Sequence, residues 1–248
     1  MPVFIRGIVL TLSLLVIWQC IVVMLQLPSY LLPTPLQVFR SLIIHRELIA
    51  TQTLPTLVET LLGLSFGILL GISLALSMCL FRPVYSLLHP ILLISQSLPV
   101  FAIAPLLVIW FGYGVTAKIV TTTLMLFFPV ANNFSDGLKR TPQPYLDSAQ
   151  LMGGNRWKIL YHIRVPAALP HLASGIRLAA AMAPLGAVIG EWIGSNQGLG
   201  FLLLNSNAQM QIDLMFAALW ILILLGISIY FLVDKLLYFA TPWLLIKK

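Results

Sequence analysis

Long apolar runs alternate with short polar breaks along this chain, and the runs have the length of membrane spans. Stretches of roughly 20 apolar residues, enough for a helix to cross the hydrocarbon of a bilayer, lie near 7–27, 57–80, 87–111, 117–134, 172–194 and 215–239. Six such runs predict an all-α, polytopic membrane protein with about six transmembrane helices. The third run is the least regular: Pro90, Pro99 and Pro105 interrupt it, and Ser95, Gln96 and Ser97 place polar groups at membrane depth. Backbone groups freed by proline are tolerated in a bilayer only where protein or a water-filled cavity satisfies them. Ser95, Gln96 and Pro99 are therefore candidate lining of a translocation path, with a kinked packing helix as the alternative.

Between the first two runs, Pro28, Pro33 and Pro35 mark a turn. Helical periodicity over 36–50 (Leu36, Phe39, Leu42, Ile43) then predicts a short helix on the outer membrane surface. Gly63, Gly67 and Gly71 in the second run, and Gly186, Gly190 and Gly194 in the fifth, are small-residue repeats that let helices approach closely in lipid; tight packing within one subunit is the expected use. Glu191, followed by Trp192, reads as the one carboxylate deep in a span, and no cationic side chain is placed as deep. A buried ionisable group needs a partner, for which Gln96 and Asn196 are the candidates. Glu191 and Trp192 are accordingly candidates for an outer gate, with a purely structural role for Glu191 as the alternative.

Composition narrows this further. Only 8% of the 248 residues are charged and 60% are hydrophobic, against about 25% charged in soluble domains, so residues 1–248 form a single membrane domain. The first run lacks a small-residue cleavage site and reads as a retained span. The net charge of +7 is a topological signal, not a nucleic-acid signature. With the N-terminus inside, the cytoplasmic side receives eleven cations, including Arg82, Lys139, Arg156, Lys158, Arg164 and Lys235, and the outer side receives Arg40, Arg46 and Lys118. The positive-inside rule then places both termini and the 135–171 loop in the cytoplasm. Cys20 and Cys79 fall in runs and read as small apolar residues. No metal-ligand cluster and no phosphate-cradling Gly-x-x-x-x-Gly-Lys occur, so the chain by itself has no means of holding ATP. Gly63-Leu64-Ser65-Phe66-Gly67 fits a nucleophile elbow, but that motif needs a strand–turn–helix setting that an apolar helix does not offer.

The most informative segment is Asp147–Pro170, DSAQLMGGNRWKILYHIRVPAALP, a basic insert of helical character between two apolar runs. Thr141-Pro142-Gln143-Pro144 breaks the preceding helix. Asp147, Ser148 and Ala149 are expected to open a new one, with the acid at its positive end. Gly153-Gly154 permits a sharp turn. An amphipathic stretch carrying Trp157, Leu160 and Tyr161 follows, and Pro166 and Pro170 are expected to end it.

The spacing of this segment resembles the EAA loop of type I ABC-importer permeases: Glu-Ala-Ala, three residues, Gly, nine residues, Ile, one residue, a hydrophobic residue and Pro. Here Asp147, Ser148, Ala149, Gly153, Ile163, Val165 and Pro166 keep it, with Asp for Glu and Ser for the first Ala. The resemblance implies a loop seated in a cleft of a cytoplasmic ABC ATPase, with Asp147, Ser148, Ala149, Gly153, Trp157, Ile163 and Pro166 making the coupling contacts. It also implies a permease homodimer, two ATPase copies that carry the ATP and Mg, an extracytoplasmic substrate-binding protein, and no cofactor on this chain. The membrane it implies is the bacterial inner (cell) membrane, with lipid around the chain. Leu32-Pro33-Thr34-Pro35 is similar to the nitrate/sulfonate/taurine-like branch. The passages Phe128–Leu138, Pro184–Gly194 and Met210–Leu219 look most like the subgroup for the pyrimidine (hydroxymethylpyrimidine-type) precursor of thiamine. The alternatives are an aliphatic sulfonate, taurine or nitrate in the same importer class, and, in another class, a secondary transporter.

Overall fold

The computed structural model describes residues 3–240, which are helical and contain no strand. Helix α1 (Val3–Met24) is followed by a short α2 (Pro35–Ile44) and a long α3 (Arg46–Leu80). Then come α4 (Arg82–Ser97), α5 (Val100–Phe111), α6 (Val115–Lys139) and α7 (Gln143–Leu151). A continuous helical run comprises α8 (Arg156–Ile159), a π turn (Leu160–Arg164) and α9 (Val165–Gly194). Two more helices, α10 (Leu199–Ala208) and α11 (Ile212–Ala240), complete the described residues.

Helices α3, α6 and α9 form the centre of the bundle. The glycine repeats explain how they approach. A methyl group on Gly67 would stand 2.9 Å from Leu126 Cβ of α6, and one on Gly190 would stand 3.0 Å from Lys118 Cα. Both stripes thus serve packing within one chain, as the sequence led one to expect. Around this trio α11 lies against α9, α10 and α2, and Trp18 of α1 meets Phe216 of α11 with ring centroids 5.7 Å apart. Val130, Ala179, Ala183, Leu199 and Ala217, all fully or nearly buried, belong to the main core. The outward faces are apolar as well (Leu69, Ile223, Phe231), the pattern of a bundle solvated by lipid.

Among the described residues four helical runs are long and apolar enough to cross a bilayer: Arg46–Leu80, Val115–Lys139, Arg156–Gly194 and Ile212–Phe239. The third apolar run is not one straight helix but two, α4 and α5, meeting at 105°. Leu98-Pro99 supplies the break, because Pro99 has no N–H for a continuing helix and Leu98, preceding it, is held extended. The count of six is reached only when this bent pair and the 22-residue α1 are both included.

Boundaries also differ from the sequence reading. The surface helix is shorter than 36–50, ending at Ile44, and residues from Arg46 onward already belong to α3. Thr34 and Gln37 fix the start of α2 by a capping box, each backbone N–H donating to the other's side chain. At the other end of the bundle the polar connection is 140–155, narrower than 135–171, since α6 continues to Lys139 and the next run starts at Arg156. Pro166 and Pro170 do not end that run. Pro166 lies in the first turn of α9, immediately after the π turn in which Val165 N–H donates to Leu160 O, five residues back. The lengthened turn absorbs the proline's missing donor.

Candidate functional site

Two places deserve a chemical reading, one at each end of the Arg156–Gly194 run. At the first, α7 starts at Gln143, so Asp147 lies mid-helix and not in the first turn as expected, accepting from Gln143 Nε2 at 2.9 Å. The turn after α7 is a Schellman motif: Gly153 N–H donates to Gln150 O (3.0 Å) and Gly154 N–H to Ala149 O (2.9 Å). Gly153 has φ +77°, the left-handed conformation such a motif requires. Asn155 then caps α8, its side chain accepting from Lys158 N–H at 2.8 Å.

Asp147, Ser148, Gly153, Trp157 and Pro166 are exposed, while Ala149 and Ile163 are half-buried. The loop is unusually apolar for a surface: Leu151 is 90% exposed, Met152 87% and Trp157 62%. Exposed apolar groups clustered on a rigid turn are the mark of a surface that meets a partner.

At the opposite end a polar network is buried. Thr56 of α3 donates from its hydroxyl to Glu191 Oε1 of α9 (2.6 Å) and accepts from Leu199 N–H of α10 (2.8 Å). Gly200 N–H donates to Glu191 Oε2 at 2.5 Å, and Gly198 N–H to Gln52 Oε1 at 2.6 Å. The Glu191 carboxylate therefore caps the N-terminus of α10, where free N–H groups and the helix dipole favour an anion. Gly198 has φ +113°, and any side chain there would land on that carboxylate. Beside it Glu59 of α3 pairs with Lys118 of α6, which also donates to Ser195 Oγ at 3.0 Å. Glu59, Lys118 and Glu191 are respectively 0%, 2% and 1% exposed. Lys118 in addition lines a 340 Å³ cavity with Tyr113, Ile193, Ser195 and Asn196.

This network corrects the sequence reading in three respects. Glu191 is not the one deep carboxylate, because Glu59 is equally buried. A deep cation exists, and it is Lys118, which the charge distribution along the sequence places on the outer surface. Asn196 is exposed and is not the partner of Glu191, whose hydrogen bonds come from Thr56 and Gly200; the side chain of Gln96 lies outside the described residues. The missed pair had a signal: Glu59 and Lys118 fall inside the runs 57–80 and 117–134, and opposite charges in neighbouring spans call for pairing. Trp192 is half exposed on the surface of α9, Ser95 Oγ donates to Leu92 O (2.8 Å), and Pro99 sits at the α4–α5 bend. Among the described residues no hydrogen bond joins that bend to the network. Ser65 Oγ donates to Leu61 O within α3, an ordinary helical hydroxyl.

The family profile described as "binding-protein-dependent transport system inner membrane component" matches residues 67–244. A probable ABC transporter permease protein of Haemophilus influenzae is 47% identical over 237 residues, covering 96% of this chain and 95% of that protein. The formylaminopyrimidine transport permease protein of Halalkalibacterium halodurans is 39% identical, covering 94% of this chain and 93% of its own length. The riboflavin transport system permease protein of Chloroflexus aurantiacus is 37% identical, with 96% and 90% covered. Among solved structures, a chain of the MetNI methionine ABC transporter in an inward-facing conformation superposes with a TM-score of 0.68 at 21% identity, over 77% of this chain and 95% of that one. That last likeness is one of fold.

Proposed function

The chain belongs to the family of binding-protein-dependent transport system inner-membrane components, and on that premise we propose that this ABC-importer permease subunit carries a thiamine pyrimidine precursor into the cytoplasm. The observation that carries the substrate is the 39% identity with the formylaminopyrimidine permease over 94% of the chain. The deep cation Lys118 removes any argument for a neutral substrate from a lack of buried positive charge. Its pairing with Glu59 leaves the choice of ligand with the binding protein.

In the proposed working complex two copies of this chain meet two cytoplasmic ATPase subunits, which hold ATP and Mg, and an extracytoplasmic binding protein docks at the far end. Both termini face the cytoplasm. The 140–155 connection, with Asp147, Ser148, Ala149, Gly153 and Trp157 on it, enters the ATPase cleft, and Ile163 and Pro166 join it to α9. ATP binding selects one arrangement of the permease pair and the loaded binding protein the other, so transport follows from two ligands that prefer different states. The Glu191 network holds the outer end closed between cycles.

The test is a strain unable to make the pyrimidine. Deletion of this gene is expected to raise the external pyrimidine concentration needed for growth, and inactivating the partner ATPase should do the same. Unchanged growth would remove the substrate assignment. A second reading, a flavin, is favoured by the 37% identity with the riboflavin permease; there the deletion would instead raise the riboflavin requirement of a riboflavin auxotroph. Loss of growth on an aliphatic sulfonate would point to the remaining branch of the family.

A further inference from the structure

A cavity of 760 Å³ opens between the α3–α4 turn, the end of α6 and the segment joining α7 to α9. Its polar wall is cationic. Arg82, Lys139, Arg156 and Arg164 line it, and no carboxylate does. Among the described residues Arg82 and Arg156 have no ion-pair partner. Arg164 donates to Cys79 Sγ at 3.2 Å, and Lys139 donates to Tyr85 Oη at 3.0 Å while standing 3.9 Å from Asp136. The other wall is apolar and includes Leu80, Phe81 and Leu160. The positive-inside rule accounts for the sign of charge at this end of the bundle. It does not account for four cations converging on one hollow, where like charges repel unless an anion lies between them.

We propose that this cavity binds a phosphate anion carried on an apolar body, supplied either as the headgroup of an anionic phospholipid or as a free organic phosphate. The size fits, since small-molecule sites commonly measure about 300–1,000 Å³. Guanidinium forks match phosphate oxygens, and basic pockets at the cytoplasmic ends of membrane helices are suited to lipid headgroups. The apolar wall takes the glycerol and acyl start of a lipid, or the ring of a free phosphate ester. An occupant bridges Arg82 at the α3–α4 turn to Arg156 and Arg164 beside the coupling loop, so its presence regulates how firmly that loop is held. Assignment to the cytoplasmic face rests on the topology proposed above; the site itself does not.

Delipidated protein in detergent is titrated with phosphatidylglycerol, with phosphatidylcholine, and with inorganic diphosphate in the absence of lipid, following thermal unfolding. A saturable stabilisation by phosphatidylglycerol or by diphosphate is expected, weakened by salt. The Arg82→Gln/Lys139→Gln variant, outside the coupling motif, should lose about tenfold in affinity for each cation removed. The Arg82→Lys/Lys139→Arg variant, which keeps both charges, should retain most of it and controls for folding. Response to phosphatidylglycerol alone assigns a lipid headgroup, and displacement of lipid by diphosphate assigns a free phosphate. No response to either probe, or a glutamine variant that binds as the parent does, overturns the proposal. Impermeant thiol labelling of Arg140→Cys in spheroplasts tests the topology separately, because in detergent both faces are open.

Discussion

Replacing Lys118 by Met probes the buried network most sharply. Methionine keeps the length of the side chain and removes its charge, so the lost energy is electrostatic and not steric. Glu59 is then left with both carboxylate oxygens buried and no hydrogen bond, and breaking a buried pair from one side costs about 3–5 kcal/mol. For a chain of this size about 1 kcal/mol corresponds to roughly 2–4 °C in the unfolding midpoint, so a fall of roughly 10 °C is expected in detergent. Glu59→Leu should cost less, because the orphaned ammonium still reaches Ser195 and the 340 Å³ cavity beside it. The decisive variant is the double one. With both charges replaced by apolar groups, most of the loss from Lys118→Met should be recovered, giving a coupling energy of at least about 2 kcal/mol. Glu191 keeps its own donors on Thr56 and Gly200 throughout, but it also interacts with both Glu59 and Lys118, so the cycle is run in a Glu191→Gln background as well. If the double variant loses the sum of the two single losses, the residues are not coupled and the reasoning fails.

Three other expectations are open to direct measurement. Gly153→Ala meets no atom within 4 Å, so its cost is the left-handed backbone alone, about 1–2 kcal/mol; the protein should reach the membrane normally while ATPase co-purification and uptake fall, and Gly153→Pro should abolish both. Native mass spectrometry of the assembled transporter should show two copies of this chain, since an ATPase dimer has two clefts and one chain supplies one loop; a single copy or a second permease species would refute that. Glu191→Gln should keep much of the uptake, whereas Glu191→Leu should raise ATP hydrolysis in the absence of binding protein; wild-type basal hydrolysis with full uptake in the Leu variant would reduce Glu191 to a structural role.

The spans were legible because lipid solvation makes a membrane helix apolar over its whole length, and this needs no knowledge of neighbours. The turn at Gly153 was legible for a local reason too, as the Schellman motif is written in six consecutive residues, Ala149–Gly154. What escaped was anything decided between distant elements. Lys118 is the fourth residue of α6, where an end-of-span cation reads as an interfacial charge; only the proximity of α3 and α9, set by Gly63, Gly67 and Gly190, turns it inward. The start of α7 escaped because Pro142 and Pro144 read as breakers, yet proline is well accommodated in a first turn. The start of α9 escaped for the related reason that a π turn can absorb Pro166 without stopping the helix; its end at Gly194 did not.

The continuity of that run links the two ends of the molecule. From Arg156 to Gly194 it spans 39 residues, about 58 Å at the usual rise, with the proposed coupling segment just before its start and Glu191 three residues before its end. Glu191 belongs to α9, while its donors Thr56 and Gly200 belong to α3 and α10. Any axial shift or rotation of α9 imposed at the coupling loop must therefore stretch hydrogen bonds of 2.5–2.6 Å, whose strength falls steeply with distance and angle. Close packing leaves few intermediate positions, since α9 meets α6 through Gly175, Gly186 and Gly190 against backbone and Cβ atoms and such interfaces switch between arrangements more readily than they deform. On the coupling proposed above, a network that resists the first displacement and releases afterwards would act as a catch on α9. This is why a substitution at Glu191, far along α9 from the loop proposed to meet the ATPase, is expected to register in the rate of ATP hydrolysis.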